Sequence, residues 1–223
     1  MNPIKPTIKT ELFAVLLIIL ACLSSIYFYS VFPSKVPIHW NIEGQVDNYS
    51  SKEIGAFLFP VVILAMYLMF ILIPYLDPKK NRYDEFRKTY HIFKNLMILF
   101  MTITYFVASF SAIGIGMSIS TWIPIMVGML FVVLGNYMSK IKPNWFMGIR
   151  TPWTLSSEEV WNKTHRFGGL VFILGGLVMM FMPIYPNNIK MILFITIVLL
   201  MSLGTTLYSL YLFLKEKNGK NNK

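Results

Sequence analysis

Six runs of mainly apolar residues, at 12–32, 55–76, 92–117, 122–138, 167–184 and 191–214, decide what this chain can fold into. About 20 consecutive apolar residues suffice for a helix to cross a bilayer. No water inside the hydrocarbon satisfies backbone N–H and C=O groups, so each spanning segment must satisfy its own. Six such helices use more than half of the 223 residues and leave no room for a separate soluble domain. Only 13% of residues are charged while 56% are hydrophobic, against roughly a quarter charged in soluble domains. The expected fold class is therefore an all-α membrane protein, a bundle of six transmembrane helices.

Charge placement orients the bundle. Of the 20 Lys and Arg residues, only Lys35, Lys52 and Lys190 fall in the loops after the first, third and fifth runs. The other 17 lie before the first run, in 77–95, in 139–166 or in the C-terminal tail. Cytoplasmic loops carry the excess of Lys and Arg, so the N- and C-termini are expected in the cytoplasm. The net charge of +10 follows from the same bias and requires no nucleic acid. The cluster Lys79, Lys80, Arg82, Arg87 and Lys88 suits acidic lipid headgroups, at about 1 kcal/mol per residue. The first run stays apolar through Phe32, longer than the roughly 7–15-residue core of a secretory signal, and reads as a retained helix. Cys22 is the sole cysteine, which excludes an intramolecular disulfide, and it reads as a small buried hydrophobe.

No Asp, Glu, Lys or Arg is expected inside the apolar core of a helix; Glu11, Glu53, Asp77, Lys94 and Lys190 all read as helix-end residues. Ion-coupled transporters rely on ionisable groups at membrane depth, so this pattern weighs against that class. Gly128 and Gly135 are seven apart, as are Gly168 and Gly175, and Gly169 and Gly176. Glycines so spaced share a helix face and let a neighbouring backbone approach, which predicts tight packing of the fourth and fifth spans. Pro60 and Pro74 each remove a backbone donor from the second span and are expected to kink it.

Two loops hold more chemistry than a connector needs. In the first, Pro33 and Pro37 keep the chain extended and Gly44 permits a turn. His39, Glu43 and Asp47 have helical metal-ligand spacing, but the prolines and Gly44 oppose a helix there, so neither a metal nor a cofactor is expected. In the second, Ser156 and Glu159 form a capping-box pattern that predicts a short helix from about Ser157 through Val160, Trp161, Thr164 and His165. Trp161 and His165 would share one face. Arg150 offers a planar donor group for a carboxylate, a phosphate or backbone carbonyls. No nucleophile elbow, His-Glu-x-x-His or phosphate-binding glycine loop is present, so the chain is not expected to be an enzyme.

Together the loops resemble the SdpI family of bacterial membrane proteins. Pro37, His39, Trp40, Asn41, Gly44, Asp47, Tyr49 and Lys52 resemble its N-terminal module. Asn144, Gly148, Arg150, Thr151, Pro152, Trp153, Thr154, Leu155, Ser156, Trp161, Thr164 and His165, preceded by Asn136, Lys142 and Pro143, resemble its C-terminal module. The resemblance implies two modules, 1–76 with two helices and 77–223 with four, in the bacterial cytoplasmic membrane. It also implies immunity against a secreted toxic peptide and, in signalling members, capture of a cytoplasmic winged-helix repressor at the membrane. On that basis His39, Trp40, Asn41, Gly44 and Asp47 are the candidate toxin-response residues. Arg150, Thr151, Pro152, Trp153, Ser156, Trp161 and His165 are the candidates for coupling or repressor binding. The competing expectation is a small multi-pass transporter or exporter of an apolar peptide or lipid.

Overall fold

The computed structural model describes residues 4–41 and 43–221. Among them are six helical segments long and apolar enough to cross a membrane. Helix α1 (Ile8–Val31) starts at a reciprocal cap, with Thr7 and Thr10 each binding the other's backbone N–H. An antiparallel hairpin follows, β1 (Lys35–Trp40) and β2 (Val46–Ser51), pairing Lys35 with Ser51 and Trp40 with Val46. Its extended strands and the turn at Gly44, where φ is +81°, match the constraint set by the prolines and glycine. Val36 seats the hairpin on α2 (Lys52–Leu76) at Gly55, where a Cβ would lie 2.7 Å from the Val36 side chain.

A 3-10 turn over Lys80–Phe86 leads into α3 (Arg87–Ala112), and α4 (Ile119–Met138) follows a break at Gly114, where φ is +78°. Then come the short α5 (Pro152–Ser156), α6 (Glu158–Met180) and a last helix built of α7 (Asn187–Leu199), a π turn (Leu200–Gly204) and α8 (Thr205–Asn221). The outward faces carry leucines and isoleucines such as Leu16, Leu23, Leu68, Leu72, Leu170 and Leu203, all about half exposed or more. In water such a surface would aggregate; facing lipid it costs nothing.

Helices α1, α2 and α3 pack together around Ala14, Ala21, Phe28, Ile63, Ile98 and Tyr105. Helices α4 and α6 form the tightest pair, and their contact is backbone on backbone. A Cβ at Gly128 would lie 2.5 Å from the Gly176 carbonyl and one at Gly176 2.6 Å from the Gly128 carbonyl. Gly135 and Gly169 repeat this one turn pair along, at 2.5 and 2.7 Å. The other glycine pair on α6 serves a different neighbour: Gly175 abuts Met201 and Ile197 of the last helix, and Gly168 abuts Ile149. So α6 sits between α4 and the last helix, with a glycine face for each.

Three expectations need correction. Lys94 is not at a helix end, because α3 starts at Arg87 and places it two turns inside. There it is 1% exposed and ion-paired with Glu11 of α1, with a second bond to the Thr10 carbonyl at 3.4 Å. Cys22 is exposed on the outer face of α1, since Ala21 and Ser25 take the inward positions. The short helix expected after Ser156 is the start of the fifth span: nothing breaks the chain between His165 and Gly168, and α6 runs unbroken to Met180.

Candidate functional site

The two loops lie at opposite ends of the bundle. In the hairpin, His39 and Asp47 meet across the strands, Nδ1 to Oδ1 at 2.5 Å, with both side chains largely in solvent. Asn41 holds the turn: its Oδ1 accepts from Glu43 N at 3.0 Å and Gln45 N at 2.9 Å, and its carbonyl accepts from Gly44 N. Gly44 lies against α4, where a Cβ would sit 2.8 Å from Ser120. Asn41 and Gly44 therefore shape the hairpin tip, and His39, Trp40 and Asp47 supply the side chains a partner can meet. No group of three His, Cys, Asp or Glu residues close enough to hold a metal occurs among the described residues.

At the other end, the connections after α2 and after α4 fold together with the last helix into one polar cap. Asp77 follows α2 and is buried at 1% exposure. Its carboxylate accepts from Lys79 N at 2.7 Å, Tyr83 Oη at 2.8 Å and, 68 residues away, Trp145 N at 3.0 Å. Buried carboxylates need such donors to offset lost hydration. Asn144 closes the adjacent turn, accepting from Phe146 N and Met147 N while donating to the Lys142 and Met147 carbonyls. Arg82 grips Glu158 with two bonds of 2.8 and 2.7 Å and also holds Glu85. Ser157 Oγ donates to Glu216 of the last helix at 2.6 Å.

Trp161 and His165 form the centre of this cap. Their rings stack at 4.1 Å and 21°, and both are fully buried. Trp161 Nε1 donates to the Ile141 carbonyl at 2.8 Å. His165 Nε2 accepts from Ile149 N at 3.0 Å, so the ring proton sits on Nδ1, 2.8 Å from the Trp161 carbonyl. Both ring nitrogens are thus committed to the backbone. Gly148 makes this possible: its φ is +94°, and a Cβ there would lie 2.3 Å from His165 Nε2.

The remaining candidates divide by exposure. Thr151 is buried, caps α5 reciprocally with Thr154, and lies 3.0 Å from Ser209 of α8. Ser156 does not form the expected box with Glu159. Pro152 at the first position of α5 sets a phase that turns Ser156 Oγ back to the Pro152 carbonyl at 2.5 Å. Ser157 caps α6 instead, accepting from Val160 N, and Glu159 pairs with Lys163. Arg150 is exposed and donates through Nη1 to the Trp145 carbonyl at 2.6 Å. With exposed Pro152 and Ser156, half-buried Trp153 and the exposed ring of Trp145, it forms the outward face of the cap. Asp77, Tyr83 and Trp145 do not stand out as site residues in the sequence; the one signal is an acid placed directly after the second apolar run, ahead of the basic cluster.

Comparison with known proteins follows this division. The profile of the SdpI/YfhL protein family matches residues 140–209, from the Arg150 loop through α6 into α8. The domain of unknown function DUF1648 matches residues 16–64, from α1 through the hairpin into α2. Immunity protein SdpI of Bacillus subtilis (strain 168) is 28% identical over 211 residues, covering 95% of this chain and 99% of that protein. Along almost its whole length the chain is similar to the SdpI family. It is a multi-pass membrane protein, and no solved structure matches it. The SdpI-family segment contains the whole Trp161–His165 centre, and the Arg82 and Asp77 contacts tie it to the first three helices.

Proposed function

We propose that this protein protects a bacterial cell against a secreted toxic peptide, with the termini in the cytoplasm and the hairpin outside. The observation that carries the reading is the end-to-end similarity to a protein named as an immunity protein, spanning both loops. The reading needs no chemistry, and the committed nitrogens of His165 agree with that. On this reading the hairpin, through His39, Trp40 and Asp47, meets toxin. The cap face of Arg150, Pro152, Trp153 and Ser156 is the coupling surface toward a cytoplasmic winged-helix repressor. Thr151, Trp161 and His165 hold that face in shape.

Survival of a toxin-sensitive bacterium challenged with a sporulation-delay-type peptide tests the proposal. Cells expressing the wild type are expected to survive where empty-vector cells lyse, with membrane abundance verified by immunoblot. Equal killing of the two strains would remove immunity to that peptide.

A further inference from the structure

Beneath the hairpin a cavity of about 290 Å³ lies between α2, α3 and the first turns of α4. Ile38 and Trp40 roof it, Ala108 and Ala112 of α3 floor it, and Leu58 and Ile123 flank it. Small-molecule pockets run from roughly 300 Å³ upward, so the space suits a few apolar side chains better than a whole metabolite. No Lys, Arg, His, Asp or Glu lines it. Two polar side chains on its wall spend their donors within the protein: Tyr105 Oη on the Ala56 carbonyl at 2.9 Å, and Thr104 Oγ1 on the Phe100 carbonyl at 2.8 Å. An ion, a nucleotide or a sugar would lose hydration here with nothing in exchange.

Two apolar occupants remain, a phospholipid chain and a hydrophobic peptide segment. A phospholipid brings a phosphate that requires a cation at the rim. Of the two lysines beside the hairpin, Lys52 is turned to the α1 side, donating to the Ser30 carbonyl at 3.5 Å and lying 5.2 Å from the Tyr29 ring, and Lys35 lines a separate cleft with Asp47 and Tyr49. The roof, in contrast, is the hairpin itself, and Trp40 belongs both to the cavity and to the candidate toxin-response surface. Resting on the immunity reading, we propose that this cavity seats apolar side chains of the toxic peptide while the hairpin contacts the rest of it.

The chain has a single cysteine, Cys22, exposed on α1 and not among the residues that line the cavity, which makes thiol labelling specific. In membrane vesicles, the alkylation rate of Ala108→Cys in a Cys22→Ser background is measured with and without sporulation-delay-type peptide. Native Cys22 in the wild-type chain serves as the control. The expected result is labelling at position 108 slowed at least fivefold by peptide and labelling of Cys22 unchanged. Ala108→Phe, which fills the cavity, is expected to abolish protection at unchanged membrane abundance. An unchanged rate at position 108, in cells whose wild-type protein protects, overturns the cavity assignment alone. Labelling that is slow without peptide and accelerates on delipidation assigns the cavity to a lipid chain and overturns it too. A wild type that neither protects nor shows slowed labelling removes the immunity reading and this inference with it.

Discussion

Tyr105 of α3 donates its hydroxyl to the carbonyl of Ala56 in α2 at 2.9 Å. That carbonyl is the one Pro60 strands, because proline four residues on has no N–H to return. The second proline is matched in the same way: Tyr90 Oη donates to the Phe70 carbonyl at 2.5 Å, four residues before Pro74. Prolines 14 apart on α2 thus face tyrosines 15 apart on the antiparallel α3. The two helices are fixed in register by their defects, and no water is needed to satisfy either carbonyl.

Tyr105→Phe is therefore expected to destabilise the protein by about 1–3 kcal/mol, the cost of a buried acceptor without a partner. Pro60→Ala restores an intrahelical donor to Ala56, so Tyr105→Phe in that background should cost less. A double-mutant cycle from thermal unfolding in detergent measures the coupling. Additive single effects would refute the pairing.

The packing at Gly148 gives a second expectation. Gly148→Ala places a methyl 2.3 Å from His165 Nε2 and forces a non-glycine residue to φ +94°, a conformation costing on the order of 1–3 kcal/mol by itself. Displacing the His165 ring also breaks its bond from Ile149 N. The variant should show a lowered unfolding temperature and an indole fluorescence change from Trp161. An unaltered melt and spectrum would mean that the cap tolerates a different backbone.

These features differ in how far the sequence announced them. The six spans follow from apolar length, and the α4–α6 contact from glycines seven apart, because both are periodic signals within one helix. The extended chain and turn of the hairpin follow from Pro33, Pro37 and Gly44. What stayed hidden depends on pairs far apart in sequence: Asp77 with Trp145, Arg82 with Glu158, Glu11 with Lys94, and each tyrosine with its carbonyl. Ser156 was misread by one position because the proline at the start of α5 fixes the helix phase, and a spacing rule does not include that. Arg150, prominent in the sequence, makes one hydrogen bond to the backbone, while the inconspicuous Asp77 accepts three hydrogen bonds.

The Glu11–Lys94 pair supplies a third expectation. Both residues are buried between α1 and α3, with the Tyr67 ring 5.7 Å from Lys94 Nζ. Removing one partner leaves a charge in a poorly solvated site and typically costs about 3–5 kcal/mol, whereas apolar replacement of both is often neutral. Lys94→Met and Glu11→Leu are each expected to lower membrane abundance sharply, and the double variant to recover most of it. Quantitative immunoblotting of membranes checks this. A double variant no better than the worse single one would show that the pair is not mutually compensating.

The cap separates residues that hold the surface from those that present it, and the last prediction uses this difference. Trp161 is fully buried with its indole N–H on the Ile141 carbonyl, so Trp161→Ala removes core volume at roughly 3–5 kcal/mol and should lower abundance and protection together. Arg150 and Trp153 lie on the outward face, and loss of the single Arg150 Nη1 bond to the Trp145 carbonyl is worth only about 0.5–1.5 kcal/mol. Arg150→Ala and Trp153→Ala should therefore reach the membrane at near wild-type levels. If the outward face is the coupling surface, protection normalised to abundance falls at least tenfold in these two variants. In Trp161→Ala it stays constant per molecule. Full protection by both surface variants would confine any function of this end of the bundle to its fold and shift the search for the coupling surface to the hairpin end.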